Sequence, residues 1–249
     1  MKEYIDTIPV NDAFSSGDEC PFCWLERMSE QKTLRFVLGP GASYMEPDVR
    51  GATDRAGFCG EHLKKMYDYG NNLGNALILQ TYMAGLMKEL DREIADFILP
   101  PKRPLLGKRK EEEEKILGWS REKGATCFIC SRNRYNMERY CAAFFAMIKE
   151  PEFRKKVENS KGFCLRHFGL LLEQAHEKLP NSQREWFYPT VLGLMKSQLE
   201  RVKGDLDHFV EMFDYRNAGS DWKNSRDAVP RAMQKLQGLH PSDPPYKEK

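Results

Sequence analysis

The chain has 249 residues, with 39 Lys and Arg against 37 Asp and Glu and a hydrophobic share of 41%. That is enough apolar material for a core, and too little charge excess to mark a nucleic-acid binder. With 18 Gly and 14 Pro the chain is neither collagen-like nor wholly disordered, and its longest apolar run, Cys141 to Ile148, is too short to span a bilayer. Glu3 and Asp6 stand where a signal peptide needs apolar residues, so a cytoplasmic protein is expected. In that reducing compartment the 7 cysteines read as metal ligands or redox groups before they read as disulfides.

In chain order, three short blocks come first: Cys20-Pro-Phe-Cys23, Glu46-Pro-Asp-Val-Arg50 and Gly57-Phe-Cys59-Gly-Glu-His62. All three return. Cys127-Phe-Ile-Cys130 lies 107 residues after the first, Glu150-Pro-Glu-Phe-Arg154 lies 104 after the second, and Gly162-Phe-Cys164-Leu-Arg-His167 lies 105 after the third. Gly85-Leu-Met-Lys88 recurs as Gly193-Leu-Met-Lys196, so the chain reads as a duplication. The Glu-Pro blocks predict short helices with Pro at the first position, pinned by Arg50 and Arg154.

Elsewhere the apolar spacing is helical. Leu73, Leu77, Gln80, Met83, Met87, Leu90, Ile94 and Phe97 predict one face of a long helix that Pro100 and Pro101 end. Met137, Cys141, Phe144, Phe145 and Ile148 predict a second stripe. Leu165, Phe168, Leu172 and Ala175 predict a third, and Leu194, Leu199, Val202, Leu206, Phe209 and Phe213 a fourth, with Pro189 near its start. No segment alternates as a strand would, so the fold class is all-α: duplicated helical repeats. The expected division is a first repeat over 1–99, a charged connector over 100–120, a second repeat over 121–216 and a C-terminal segment over 217–249. In the connector Lys108–Lys110 are neutralised by Glu111–Glu114, and a disordered tail is expected from His240. Trp222 and Leu236 are expected to pack the C-terminal segment onto the body.

Each repeat offers Cys, Cys, Cys and His, a donor set for tetrahedral Zn²⁺. The first site would use Cys20, Cys23, Cys59 and His62, across a 36-residue separation, and the second Cys127, Cys130, Cys164 and His167, across 34. Two zinc ions per chain follow. Three thiolates, an imidazole and a dication carry a formal charge of −1, which Arg27, Lys64, Arg132 or Arg166 could offset nearby. Buried core thiols are the plain alternative, and Cys141, without a counterpart, is read that way. A thioredoxin-like role lacks its βαβ setting, an iron–sulfur cluster takes His less often as fourth ligand, and a catalytic zinc leaves a position open. His176, His208 and His240 read as surface or capping residues, and the chain has no phosphate loop, HExxH or nucleophile elbow.

Together the CPxC and GFCxxH pairs, the Glu-Pro-Asp-Val-Arg block and the Phe213-Asp-Tyr-Arg-Asn217 ending resemble an uncharacterised bacterial family of unknown function, found largely in anaerobic Gram-positive lineages. The resemblance covers most of the chain and implies no reaction or substrate. One departure is Cys127-Phe-Ile-Cys130, which lacks the Pro that follows Cys20. The reading is an intracellular zinc-binding helical protein acting as an interaction or scaffold module with an unknown protein partner. No catalytic residue and no organic cofactor is assigned. An enzyme with an unrecognised helical cleft and a zinc-thiolate redox sensor are the alternatives, and nucleic acid ranks behind them.

Overall fold

A computed structural model describes residues 5–98 and 115–238. Among them all regular structure is helical: α1 (Thr7–Ser15), α2 (Pro21–Leu38), α3 (Pro47–Ala56), α4 (Gly60–Tyr69), α5 (Asn72–Ala95), α6 (Lys115–Ala125), α7 (Phe128–Met147), α8 (Pro151–Glu158), α9 (Leu165–Lys178), α10 (Asn181–Glu211) and α11 (Ala228–Gln237). The protein is all-α, and no helix among the described residues is long and apolar enough to cross a membrane. Pro100, Pro101, the run from Lys108 to Glu114 and the tail from His240 lie outside the described residues.

The compact units cut the chain differently from the motif halves. One combines the described residues up to Ser29 with those from Tyr135 onward, and the other takes the described residues between Glu30 and Arg134. Both boundaries fall inside helices that carry a CxxC pair, α2 and α7, so each unit draws on both halves. Of the expected connector over 100–120, the described part from Lys115 belongs to α6.

The first unit is organised around phenylalanines. Phe14 meets Phe22, Phe144, Phe153 and Phe163 at centroid distances of 6.4, 5.6, 5.2 and 6.3 Å, three of the four contacts edge-on. Phe14, Val10 and Ala13 arrive on α1, a short helix absent from the sequence reading. On α7 the expected stripe is buried, Cys141 included. On α9 the buried line is His167, Leu171 and Ala175, whereas Leu165 is exposed: the register is set by the histidine rather than by the leucines. α10 holds Pro189 in its interior, not its first turn, where the ring removes one backbone donor. α11 lies on α9 and α10. Its buried residues are Ala228, Arg231, Gln234 and Lys235, while Leu236 is exposed, contrary to expectation. Trp222 does pack onto the body, against Phe209 of α10 and Phe213 just after it.

In the second unit Leu34, Val37, Leu38, Phe58, Met66, Ile78, Phe128 and Ile129 form the core. α5 buries only Gly74 and Ile78, so most of its apolar stripe faces outward. Both Glu-Pro blocks begin helices with Pro at the first turn. Arg50 donates to the Leu77 carbonyl at 2.9 Å, and Arg154 donates to the Ile148 carbonyl at 2.7 Å while lying over Trp186.

The two GFC turns differ in how strictly they need glycine. Gly57 has φ +59° and ψ −161°, a region open to glycine almost alone, and an added Cβ would stand 2.6 Å from Tyr82 Oη. Gly162 has φ +74° and its Cβ would meet Leu194 Cγ at 3.4 Å. Gly57→Ala is therefore expected to destabilise by about 2–4 kcal/mol and Gly162→Ala by about 1–2 kcal/mol. Urea unfolding followed by circular dichroism checks the order, and equal midpoints for the two variants would contradict it.

Candidate metal centres

Four cysteines precede a helix directly: Cys20 before α2, Cys59 before α4, Cys127 before α7 and Cys164 before α9. The partner donor of each, Cys23, His62, Cys130 and His167, occupies the third helical position. One tight turn thus aims two donors off each helix N-terminus, where unpaired backbone N–H groups and the positive end of the helix dipole favour thiolates. Two such contacts are explicit: the backbone N–H of His167 donates to Cys164 Sγ at 3.4 Å, and that of Cys130 donates to Cys127 Sγ at 3.5 Å. In the second CxxC the residue replacing Pro has a use for its amide. Phe128 N–H donates to the Gly57 carbonyl at 2.9 Å, tying this turn to the GFC turn.

The helix ends converge in pairs, and the pairing is crossed. Cys20 and Cys23 meet Cys164 and His167, while Cys59 and His62 meet Cys127 and Cys130, with the donor atoms of each set within 4.8 Å of one another. This corrects the expected assignment of one site to each repeat. Each set joins the CxxC of one half to the CxxH of the other, and the bridged positions are 141 and 65 residues apart rather than 36 and 34. Within a motif the three-residue spacing brings two donors together. Between motifs the fold of α2 and α7 decides, and repeat counting carries no signal for that.

The distances suit one ion per set. In the first, His167 Nδ1 lies 3.5, 3.4 and 3.3 Å from the sulfurs of Cys20, Cys23 and Cys164, and Cys23 and Cys164 are 3.6 Å apart. In the second, His62 Nδ1 lies 3.1, 3.4 and 3.3 Å from Cys59, Cys127 and Cys130, and Cys59 and Cys130 are 3.8 Å apart. A tetrahedral ion with metal–sulfur bonds near 2.3 Å and metal–nitrogen bonds near 2.05 Å implies roughly 3.8 Å between sulfurs and 3.5 Å from sulfur to nitrogen. Both groups could hold a metal ion.

In each set Nδ1 faces the sulfurs and Nε2 turns away. His62 Nε2 meets Glu30 Oε1 at 2.7 Å, and Lys65 also pairs with that acid at 2.7 Å. His167 Nε2 is 3.8 Å from Glu26 Oε2, and Arg166 donates to Glu26 at 2.9 Å. A carboxylate on the far nitrogen fixes the tautomer and raises the basicity of a metal-binding imidazole. Glu26 and Glu30 stand one turn apart on α2, and neither belongs to a repeated motif. Of the cations expected nearby, Arg166 is in place and Arg27 pairs with Asp18, whose carboxylate accepts from Cys20 N–H at 3.0 Å. Lys64 pairs with Asp68 instead, and Arg132 lies over the rings of Phe36 and Phe128.

Electrostatics within the sets follow from crowding. Burial opposes charge on His62, yet the Cys127 thiol and Glu30 hold its pKa up at about 10; Cys164 and Cys20 likewise outweigh burial and hold His167 at about 9. Burial also opposes ionisation of Cys127, but His62 brings its pKa down to about 6, while burial and the Cys127 thiol push Cys130 up to about 12. Cys164 is driven far below the ordinary thiol range by Cys20 and Cys23, and Cys23 far above it by Cys164 and Cys20. Each set thus shares protons that an incoming dication would have to displace.

The sets differ in shelter. All four donors of the first are buried, whereas Cys59 and Cys130 of the second are half-exposed. The C-terminal segment accounts for part of this. Gly238, which ends α11 at φ +82°, lies so close that an added Cβ would stand 3.2 Å from Cys23 Sγ and 3.5 Å from Cys164 Sγ. Lys235, fully buried, pairs with Glu19 at 3.2 Å and donates to the Glu19 carbonyl at 2.5 Å, and Gln234 donates to Asp18 at 2.6 Å. Nothing in the sequence pattern marks these residues. His176 is exposed and His208 meets the Asp221 carbonyl at 3.0 Å, both far from donor sets. Cys141 stands apart too, its thiol pushed up to about 11 by burial.

The profile of the family described as "Family of unknown function (DUF6062)" matches residues 1–243, so the chain belongs to that family. An uncharacterised 23.9 kDa protein in the xynA 3' region of Caldicellulosiruptor sp. (strain Rt8B.4) is 21% identical over 201 residues, covering 80% of this chain and 85% of that protein. No solved structure matches the chain.

Crossed pairing has a direct test in native mass spectrometry of double variants. Cys20→Ser with Cys164→Ser should leave one metal bound, because both changes fall in one set. Cys20→Ser with Cys59→Ser should leave none. Assignment of one site to each repeat predicts the reverse.

Proposed function

We propose that this member of a family of unknown function is a zinc-clamped helical module of the cytoplasm, in which two structural ions hold a surface for a protein partner. The observation that carries the metal half of this reading is the closed four-donor geometry, met twice. Three thiols and an imidazole at single-ion spacing suit zinc over harder cations, and leave no room for the several irons of a cluster. A fourth protein donor fills the position that a catalytic zinc would keep for water. When bound, the ions would neutralise the thiolates and cross-link remote chain segments. The residues do the rest: helix ends orient sulfur, Glu30 holds the His62 imidazole while Glu26 stands 3.8 Å from that of His167, and α11 shelters one set.

The interaction half is supported by large apolar side chains left open, among them Met83 and Met87 on α5 and Phe213 and Tyr215 after α10. A redox role is the second reading, and the half-exposed Cys59 and Cys130 favour it at that set alone, since accessible zinc thiolates oxidise with loss of metal.

Protein purified without chelator should carry two zinc ions. His62→Ala and Cys164→Ser should each lose one ion and melt well below wild type, because clamping segments this far apart couples metal binding to folding. Glu30→Gln should keep the ion but weaken its binding by about 10–100-fold, read by competition with a chromophoric chelator. A variant that loses its zinc and melts like the wild type would overturn the structural role. In the redox reading, mild peroxide should release the ion held by Cys59 and Cys130 first and leave Cys141 unmodified.

A further inference from the structure

Helix α5 is apolar on two opposite faces. One buries Gly74 and Ile78 where the helix meets α3, α4 and α6. On the other, Leu73, Gln80, Met87 and Ile94 recur every seven residues, and Ala76, Met83 and Leu90 follow the first three of them by three, with Phe97 just past the helix end in the same sequence spacing. This strict alternation of three and four is the 3.5-residue period of a two-helix seam, which a helix resting on a globular core does not require. Leu73, Met83, Met87, Ile94 and Phe97 are between 45% and 66% exposed. Every charged residue of α5, from Lys88 to Glu93, falls off the seam.

We propose that a second copy of the chain docks here, two α5 helices pairing parallel and in register as a short coiled coil. The inference rests on the interaction-module reading and names its partner. Gln80 decides for a second copy and for this orientation. Its amide has no hydrogen-bond partner among the described residues, and in a parallel pair it meets its own counterpart, the device by which a single polar seam residue sets register. In an antiparallel pair the two seam rows face each other, which would set Gln80 against Met83 or Leu90 and bury the amide unpaired. Parallel pairing brings no like charges together either, since Asp91 faces Leu86 of the other copy and the position opposite Glu93 lies beyond the end of α5. The helix is about 36 Å long, three and a half heptads, which meets the length a sustained seam needs. At roughly 60–120 Å² for each apolar side chain the seam covers about 400–800 Å² per copy, the lower range of specific interfaces, so a micromolar dimer is expected.

The test is sedimentation equilibrium of the full metal-loaded chain over a dilution series from about 100 µM, where a micromolar dimer is fully formed. Met83→Glu with Met87→Glu should raise the dissociation constant by roughly a hundredfold, since carboxylates buried against their own counterparts are costly. Its helical content and two-metal stoichiometry should not change, as both positions are exposed. Gln80→Leu should tighten association by about tenfold, because a polar seam residue sets register at a cost in stability, and a folding defect could not imitate that direction. A wild-type chain that stays monomeric at about 100 µM with both metals bound overturns the proposal and leaves the metal reading intact. A dimer that survives the double glutamate variant overturns it as well.

Discussion

A helix N-terminus can present only two donors to one ion, the residue before the helix and the third residue within it, so a four-donor site needs two helix ends meeting head to head. This constraint governs the molecule. Four helices, α2, α4, α7 and α9, carry such ends, and the chain joins them as α2 with α9 and α4 with α7. Once those pairs are set, α2 and α7 must each divide their length between the two compact units, and no unit can be cut from one motif half. The phenylalanine core around Phe14 and the smaller core around Ile78 then fill the space behind each pair. The positive helix ends, with N–H groups donating to Cys164 and Cys127, offset part of the repulsion among the sulfurs, a contribution of about 0.3–1 kcal/mol for each helix end.

Although the two donor sets share their chemistry, their surroundings have diverged. One is closed over by α11, with Gly238 against two sulfurs and the buried Lys235 fastened to Glu19. The other has no such cover among the described residues, and in exchange its imidazole has the tighter carboxylate contact, Glu30 at 2.7 Å against Glu26 at 3.8 Å. A Cβ at position 238 would crowd Cys23 Sγ at 3.2 Å, so close approach as well as the positive φ favours glycine there.

Local rules made much of this legible from residues alone. CxxC and CxxH announce a helix N-terminus with donors at fixed places, and Pro47 and Pro151 announce the starts of α3 and α8, because each signal resides within one turn of chain. What was not legible is non-local. Choosing Cys164 rather than Cys59 as the partner of Cys23 depends on how α2 and α7 pack, and spacing in sequence points to the nearer candidate. The stripe on α5 was legible as a stripe, but periodicity does not say which face meets the core: Gly74 and Ile78, two modest residues, lie inside while Met83 and Met87 lie outside. On α9 the same ambiguity shifted the buried line by one residue toward His167. Gly238 and Lys235 lie in a segment without a repeat partner, where no pattern could single them out.

The crossing also sets an order on synthesis. The donors leave the ribosome as Cys20 and Cys23, then Cys59 and His62, then Cys127 and Cys130, and last Cys164 and His167. The set completed first is therefore the inner one, nested within the span of the outer, like one bracket closed inside another. Cys23 must wait 141 residues for Cys164, roughly 7–30 s at cellular elongation rates. Throughout that interval Cys20 and Cys23 form a two-thiol site without its own partner motif, open to Cys59 and His62, to stray metal and to oxidation. Metal delivery to a nascent chain of this design must act late, or first on the inner set.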